Sequence, residues 1–348
     1  MIKILHSADW HMDAPLLADP SLRRSLLEIP GKIARLCKEH DCDILFLAGD
    51  LFDGAYSADS LQALKNALQE VSVPVFITPG NHDFVGASSP WLTEIWPENV
   101  HVFTRPAIES VTLEHLNCRV YGAAFTSMDC PGLLEGFTAN AEETYALGIF
   151  HGDPTQVNSP YCPITTEQVK KSGLDYLALG HIHKSGSFRA GKTLCAWPGC
   201  PMGRGYDEEG EKGVFIVTID EAATTEFIPL GCPQFHDLEV AATQSLDSIL
   251  SPVGNEDFYR ITLVGPSEPV DLESLKAEYS RFPNLVLRDK TTPPLDIWGS
   301  ADEDTFEGMY FKLLRQALDE SDEETAGQVR LAAQISRQLL NGQEVVLP

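Results

Sequence analysis

The segment Ile44-Leu45-Phe46-Leu47-Ala48-Gly49-Asp50-Leu51-Phe52-Asp53 restricts the fold more than any other stretch of the chain. Its first half is a short apolar run, of the length expected for a strand buried on both faces. Gly49 ends the run and lets the backbone turn. Asp50 is left at the C-terminal end of the strand, where open α/β sheets place their chemistry. It has no positive neighbour in sequence, and an unpaired carboxylate in such a place is costly. The remaining motifs of the chain point to a pair of metal ions as the missing positive charge.

The surrounding text alternates strands and helices. Ile2-Lys3-Ile4-Leu5 reads as a first strand and runs into Ser7-Ala8-Asp9-Trp10-His11. Ser21 to His40 has a helical pattern, with an interruption expected at Pro30-Gly31. A helix capped by Ser57 or Asp59 follows the central strand, and Val73 to Ile77 is a further strand ending in Pro79-Gly80-Asn81-His82-Asp83. Val100–Phe103, Val111–Leu113 and Cys118–Gly122 are short, close together and rich in Val, which predicts antiparallel pairing. Later strands end in His151-Gly152-Asp153 and Gly180-His181-Ile182-His183, and Leu194–Trp197, Val214–Ile219 and Glu226–Pro229 complete a β-rich half. A small α+β unit follows Gly231-Cys232-Pro233, and Pro293-Pro294 closes it. Beyond it, Phe306, Met309, Tyr310, Leu313, Leu314 and Ala317 share one face of an acidic helix, and Val329 to Leu340 is a second helical pattern. The expected domains are residues 1–232, 233–298 and 299–348.

Composition narrows the class. Lys3 is followed by only a short apolar stretch, so no signal peptide is expected, and no segment approaches the ~18 apolar residues of a membrane span. Eight scattered cysteines without a CxxC pair fit reduced thiols in a cytoplasmic protein. The formal net charge of −26 argues against a broad basic surface for nucleic acid, although bound divalent metals would create a local cationic site.

Five motifs end five predicted strands: Asp9-x-His11, Gly49-Asp50, Gly80-Asn81-His82-Asp83, His151-Gly152 and Gly180-His181-x-His183. Half of the ten histidines stand in them. Any one motif alone reads as an ordinary loop; the set does not. Carboxylate, imidazole and amide oxygen without thiolate suit Mn²⁺ or Fe. Asp9, His11, Asp50, Asn81, His151, His181 and His183 are too many ligands for one ion. Two ions ~3.5–4 Å apart need a shared carboxylate, and Asp50 is the natural bridge.

These motifs, in this order, resemble the calcineurin-like metallophosphoesterase family over roughly residues 1 to 230. The opening Ile-Leu-His-Ser-Ala-Asp-Trp-His, the run Gly49-Asp50-Leu51-Phe52-Asp53 and the Gly-His-Ile-His loop are similar to SbcD-type DNA repair exonucleases. The resemblance implies a four-layer α/β/β/α sandwich with a small α+β cap and a C-terminal helical tail. It implies one metal on Asp9, His11, Asp50 and His183, and the other on Asp50, Asn81, His151 and His181. His82 becomes the non-ligand catalytic histidine that contacts the phosphate or helps the leaving oxygen depart. It titrates in the range for proton transfer, and the neighbouring Asp83 could orient its ring. Asp53 reads equally as a turn residue or as an acceptor behind the metal ligands. The segment Met12-Asp13-Ala14-Pro15 and Cys200 depart from the better-known members. Lys184, Arg189 and Arg204 are expected phosphate-backbone contacts, with ordinary solvated charges as the alternative.

Three functions compete. The first is a Mn²⁺-dependent DNA exonuclease or endonuclease, acting in double-strand-break repair with an SbcC-type coiled-coil ATPase bound through the C-terminal helix. The second is a metallophosphoesterase acting on a small nucleotide or phosphomonoester, which the net charge favours. The third is a non-catalytic docking platform, disfavoured because every ligand position is filled. The sequence leaves digestion polarity and oligomeric state open, a homodimer included, and implies no membrane partner.

Overall fold

Apolar side chains alternate between two cores along the central strands, and this alternation fixes the layers. A computed structural model describes residues 1–14, 20–140, 143–250, 256–342 and 345; Pro15, at the end of the segment after His11, lies outside them. The described residues divide into two compact units, Met1–His236 with Glu256–Phe258, and Asp237–Asn255 with Tyr259–Pro348.

In chain order the first unit contains β1 (Ile2–Ser7), α1 (Pro20–Glu39), β2 (Ile44–Leu47), α2 (Ala58–Glu70), β3 (Val75–Ile77), α3 (Pro90–Thr93) and β4 (Val100–Val102). It continues with β5 (Glu109–Leu113), β6 (Cys118–Gly122), β7 (Tyr145–His151), α4 (Thr166–Lys171), β8 (Tyr176–Gly180), β9 (Gly186–Ala190), β10 (Thr193–Trp197), β11 (Gly213–Ile219) and β12 (Ala223–Pro229). Two six-stranded sheets result, in the orders β12-β11-β1-β2-β3-β4 and β5-β6-β7-β8-β10-β9. Ile44 and Phe46 point into the apolar layer between the sheets, where they meet Leu147, Ile149, Tyr176 and Ala178. Leu45 and Leu47 point the other way, onto Leu26, Ile29 and Ile33 of α1 and Leu64 and Leu68 of α2. Leu177 and Leu179 face outward from the second sheet onto Phe150, Ile164 and Val169. The period of two thus places each strand in two cores and stacks the layers α/β/β/α.

Three local expectations are corrected. The helix over Ser21 to His40 is not interrupted: α1 runs through Pro30, whose ring is buried beside Ile29 and Ile33. The proline removes one intrahelical hydrogen bond, and burial of that face offsets the loss. Val100 to Val102 pairs parallel to β3, not antiparallel (Val75↔Val100, Ile77↔Val102). The connection between the two strands is long enough for a crossover, which a parallel pair requires. The strand β9, absent from the sequence reading, pairs antiparallel with β10.

The second unit holds most of the three-stranded sheet of β13 (Phe235–Ala241), β14 (Phe258–Pro266) and β15 (Leu285–Thr292), with helices α5 (Asp247–Leu250) and α6 (Leu272–Glu278). It also holds the helix pair α7 (Phe306–Asp319) and α8 (Glu323–Leu340). Phe311, Ala301 and Ala333 form the small core of that pair, with Arg337 over the Phe311 ring at 3.9 Å. No helix among the described residues is long and apolar enough to cross a membrane.

Candidate metal centre

β1, β2 and β3 run parallel, and so do β7 and β8, so the C-terminal ends of five strands deliver polar residues to one place. The loops that follow are held by backbone bonds between them: Asp9 N donates to the Gly49 carbonyl at 3.0 Å and His11 N to the Asp50 carbonyl at 2.9 Å. Asp9, His11, Asp50 and His181 all have positive φ, at 56°, 46°, 51° and 96°. Each such residue costs about 1–3 kcal/mol, and clustering of that strain marks a working site. Two glycines make room. A Cβ on Gly80 would lie 2.2 Å from Asp50 Oδ1, and one on Gly180 would lie 2.0 Å from the Ala48 carbonyl oxygen.

Asp50 sits at the centre. The His82 amide donates to its Oδ1 at 2.8 Å, leaving Oδ2 3.2 Å from His151 Nε2 and 3.7 Å from His11 Nε2. On one side, His11 Nε2 and His183 Nε2 face each other at 3.1 Å, close to Asp9. On the other, Asn81 Oδ1 lies 3.0 Å from His151 Nε2 and 3.2 Å from His181 Nδ1. The seven residues expected from the sequence therefore converge, in two groups that share Asp50.

The donor set fits cations. His151 Nδ1 is 2.9 Å from the Ala48 carbonyl, to which it can only donate, so in a neutral ring its Nε2 lone pair faces the oxygens of Asn81 and Asp50. His11 Nδ1 and His183 Nδ1 lie 3.4 and 2.7 Å from the carboxylates of Asp53 and Glu208. Their Nε2 lone pairs are thereby turned on each other. Asp9 Oδ1 accepts from the His181 amide at 2.8 Å, while its buried Oδ2 has no hydrogen-bond partner. Lone pairs facing lone pairs in a buried site require a shared positive charge.

The titration behaviour of the side chains reflects the same demand. Burial alone would push the His151 imidazole down, but Asp50 raises it to about 9. Burial opposes ionisation of Asp50, yet His151, His11 and His82 hold its carboxyl below the ordinary range. His181 is pushed down to about 4 by burial and by the charge on His151.

His82 stands beside this cluster with its side chain 43% exposed. Its ring is oriented by Asp53, which pairs with His82 Nδ1, and that hydrogen bond raises the imidazole's pKa despite partial burial. Asp83, expected to orient His82, does something else. Its carboxylate accepts from the backbone amides of Gly80, Asp50, Leu51 and Phe52 at 2.7–3.4 Å, tying the β2 and β3 loops together. Burial and the nearby Asp50 push it up to about 7.

The three expected phosphate contacts diverge. Lys184 is exposed. Arg189 is held by two main-chain carbonyls, those of Lys192 and Ala223, which makes it a brace for its own strand region. Arg204 grips Glu208, at 2.5 Å from Nη2 to Oε1 and 3.2 Å from Nε to Oε2. Glu208, which reaches His183 from this pair, was not singled out from the sequence. It belongs to no spaced motif, and its only signal is its place in the Arg204-to-Gly213 loop.

The fold and the two ligand groups define a metallophosphoesterase-type centre. The family model of calcineurin-like phosphoesterases matches residues 2–185, more than half of the chain, which therefore belongs to that family. The family uses a binuclear metal centre. Among curated proteins, the chain is similar to an uncharacterized metallophosphoesterase, YhaO, of Bacillus subtilis (strain 168), with 32% identity over 237 residues. The match covers 63% of this chain and 57% of that relative, so the chain spans little more than half of the relative's length. Among solved structures it is similar to a dimetal phosphatase from Danio rerio at 12% identity and a TM-score of 0.45, covering 66% of this chain and 96% of that one. A phosphoesterase from E. coli, Yfce, matches at 14% identity and a TM-score of 0.35, covering 66% and 94%.

Proposed function

We propose that the chain is a divalent-metal-dependent phosphodiesterase, and that its substrate is DNA. The observation that carries the hydrolytic reading is the pair of ligand groups sharing Asp50, with the half-exposed His82 beside them on Asp53. Asp9, His11, Asp50 and His183 would hold one cation, and Asp50, Asn81, His151 and His181 the other. Two divalent cations supply Lewis-acid activation of water and neutralise charge on the phosphoryl group. The chain's own residues do the rest. Ala48, Asp53 and Glu208 fix the imidazole tautomers. Asp53 keeps His82 charged to a higher pH than an isolated histidine, so that it can hand a proton to the departing oxygen. The oxygen and nitrogen donors favour Mn²⁺, with Fe as the alternative.

DNA is supported by the resemblance of the motif set to SbcD-type exonucleases, and a role in double-strand-break repair follows from it. A coiled-coil ATPase partner of the SbcC type is supported by the exposed apolar face of α7, where Phe306, Met309 and Leu313 are 86%, 58% and 66% exposed. Eight free, buried cysteines support a cytoplasmic location. The net charge of −26 favours a second reading, a small nucleotide or phosphomonoester as substrate. The test is Mn²⁺-dependent digestion of labelled duplex and single-stranded DNA beside bis-p-nitrophenyl phosphate and p-nitrophenyl phosphate. Cleavage of DNA and of the diester supports the proposal. Turnover of the monoester with intact DNA would replace it by the second reading.

A further inference from the structure

The loops that carry Asp50 and Asn81 continue past the metal ligands, and together they enclose a cavity of about 440 Å³. This is within the range of small-molecule pockets, about 300–1,000 Å³. Its walls include Phe52, Tyr56, His82, Phe84, Ser89 and Pro90, so His82 forms one side of it. The wall below is an aromatic ladder. Phe52 lies 5.4 Å from Tyr56 and 5.6 Å from Trp91 between ring centroids, and Trp91 stacks on Trp96 at 5.6 Å. Trp91 Nε1 donates to the Asp83 carbonyl at 2.6 Å, which locks the ladder to the His82 loop. Phe84, 37% exposed, stands at the cavity as a free ring.

The chemistry of the lining selects the occupant. It contains no Lys or Arg, and the Asp83 carboxylate is consumed by backbone amides. Apart from His82 at one edge, a second phosphate therefore has no cation to meet in it. Aromatic faces suit a flat, uncharged group. His82 serves the departing oxygen, so whatever is joined through that oxygen lies on the His82 side, next to this cavity.

We infer that the cavity receives the nucleobase of the nucleoside joined through the leaving oxygen, stacked against Phe84 and Tyr56. The inference rests on the phosphodiesterase reading and adds a substrate class to it: diesters whose leaving side carries a base. Because every base has a π face, the site accepts all four with modest preference.

Saturation-transfer NMR on the full chain, with deoxyadenosine, thymidine and 2-deoxyribose as probes, tests this without turnover. Base protons of both nucleosides receive the strongest transfer, and deoxyribose gives none. Phe84→Ala weakens nucleoside binding about tenfold, and Ala55→Trp, which fills the cavity from an exposed position, abolishes it. In parallel, Phe84→Ala lowers kcat/KM for thymidylyl-thymidine about tenfold relative to the analogue that lacks the base on its leaving side. If nucleosides do not bind, or bind equally to both variants, the inference is overturned even in a chain that hydrolyses diesters. If nucleosides bind as expected but no diester is hydrolysed, the cavity assignment stands and the phosphodiesterase reading falls.

Discussion

At the scale of single residues, His82 and Glu208 stand beside the seven that converge around Asp50. His82 pairs with Asp53 through Nδ1, and its ring meets the His11 ring edge-on at 4.7 Å between centroids. His82→Ala is expected to keep its full metal content and lose roughly 10²–10⁴-fold in diester hydrolysis, the usual contribution of a proton-transfer group. Metal analysis beside kinetics decides this, since loss of an ion would make His82 a ligand. Glu208 acts one step further out, by fixing the ring of His183. Glu208→Gln should weaken binding of one of two metal equivalents by about 10–100-fold, readable by titration with a chelator. Unchanged affinity would reduce Glu208 to a partner of Arg204. A third residue bears on stability alone. His6 is fully buried between the sheets, with Nδ1 2.8 Å from the Tyr176 hydroxyl and Nε2 3.1 Å from the Leu179 carbonyl. Burial pushes its pKa from 6.5 to about 3. Below pH 6.5 the unfolded chain therefore binds a proton that the folded chain refuses. This contribution is complete above pH 6.5 and is lost as the pH falls towards 3, with a slope of at most about 1.4 kcal/mol per pH unit. Urea midpoints across that range should fall less steeply for His6→Gln than for the native chain; parallel curves would contradict the assignment.

At the scale of elements, α7 offers the clearest forecast. Its buried residues are Gly308 and Phe311, while Phe306, Met309, Tyr310 and Leu313 remain exposed. The double variant Phe306→Asp, Leu313→Asp should fold and hydrolyse small diesters like the native chain, yet fail to co-purify with an SbcC-type ATPase. A drop of many degrees in Tm would instead show that the face is packed. The same helix shows what a sequence can and cannot disclose. Its apolar stripe was legible from spacing, but not which side is covered, because Phe311 stands off the stripe and is buried by Trp298 and Ala333 from other segments. The buried strands β2, β7 and β8 were legible because two-faced burial leaves continuous apolar runs ending in polar motifs. The seven residues that converge around Asp50 were legible for the same reason. The direction of β4 was not, since Val-rich text fits either pairing and only the crossover decides it. The task expected of Asp83 likewise fell to Asp53, for which a place behind the ligands was one of two readings. Adjacency suggested Asp83 for His82, whereas the folded loops bring Asp53 to the ring and leave Asp83 to four backbone amides. Sequence neighbours two loops apart cannot reveal such a crossing.

At the scale of the whole molecule, an acidic chain of net charge −26 concentrates its demand for positive charge at one buried point. Lone pairs of His11, His183 and His151 converge there with the oxygens of Asp9, Asp50 and Asn81, and Asp50 belongs to both groups. The central claim is that this carboxylate joins two cations into one hydrolytic centre. The direct measurement is metal content by mass spectrometry, taken together with Mn²⁺-dependent hydrolysis of bis-p-nitrophenyl phosphate, for the native chain and Asp50→Ala. The account predicts two equivalents and turnover in the native chain, and at most one equivalent with no measurable turnover in the variant. Two equivalents retained by Asp50→Ala, with hydrolysis continuing, would contradict it.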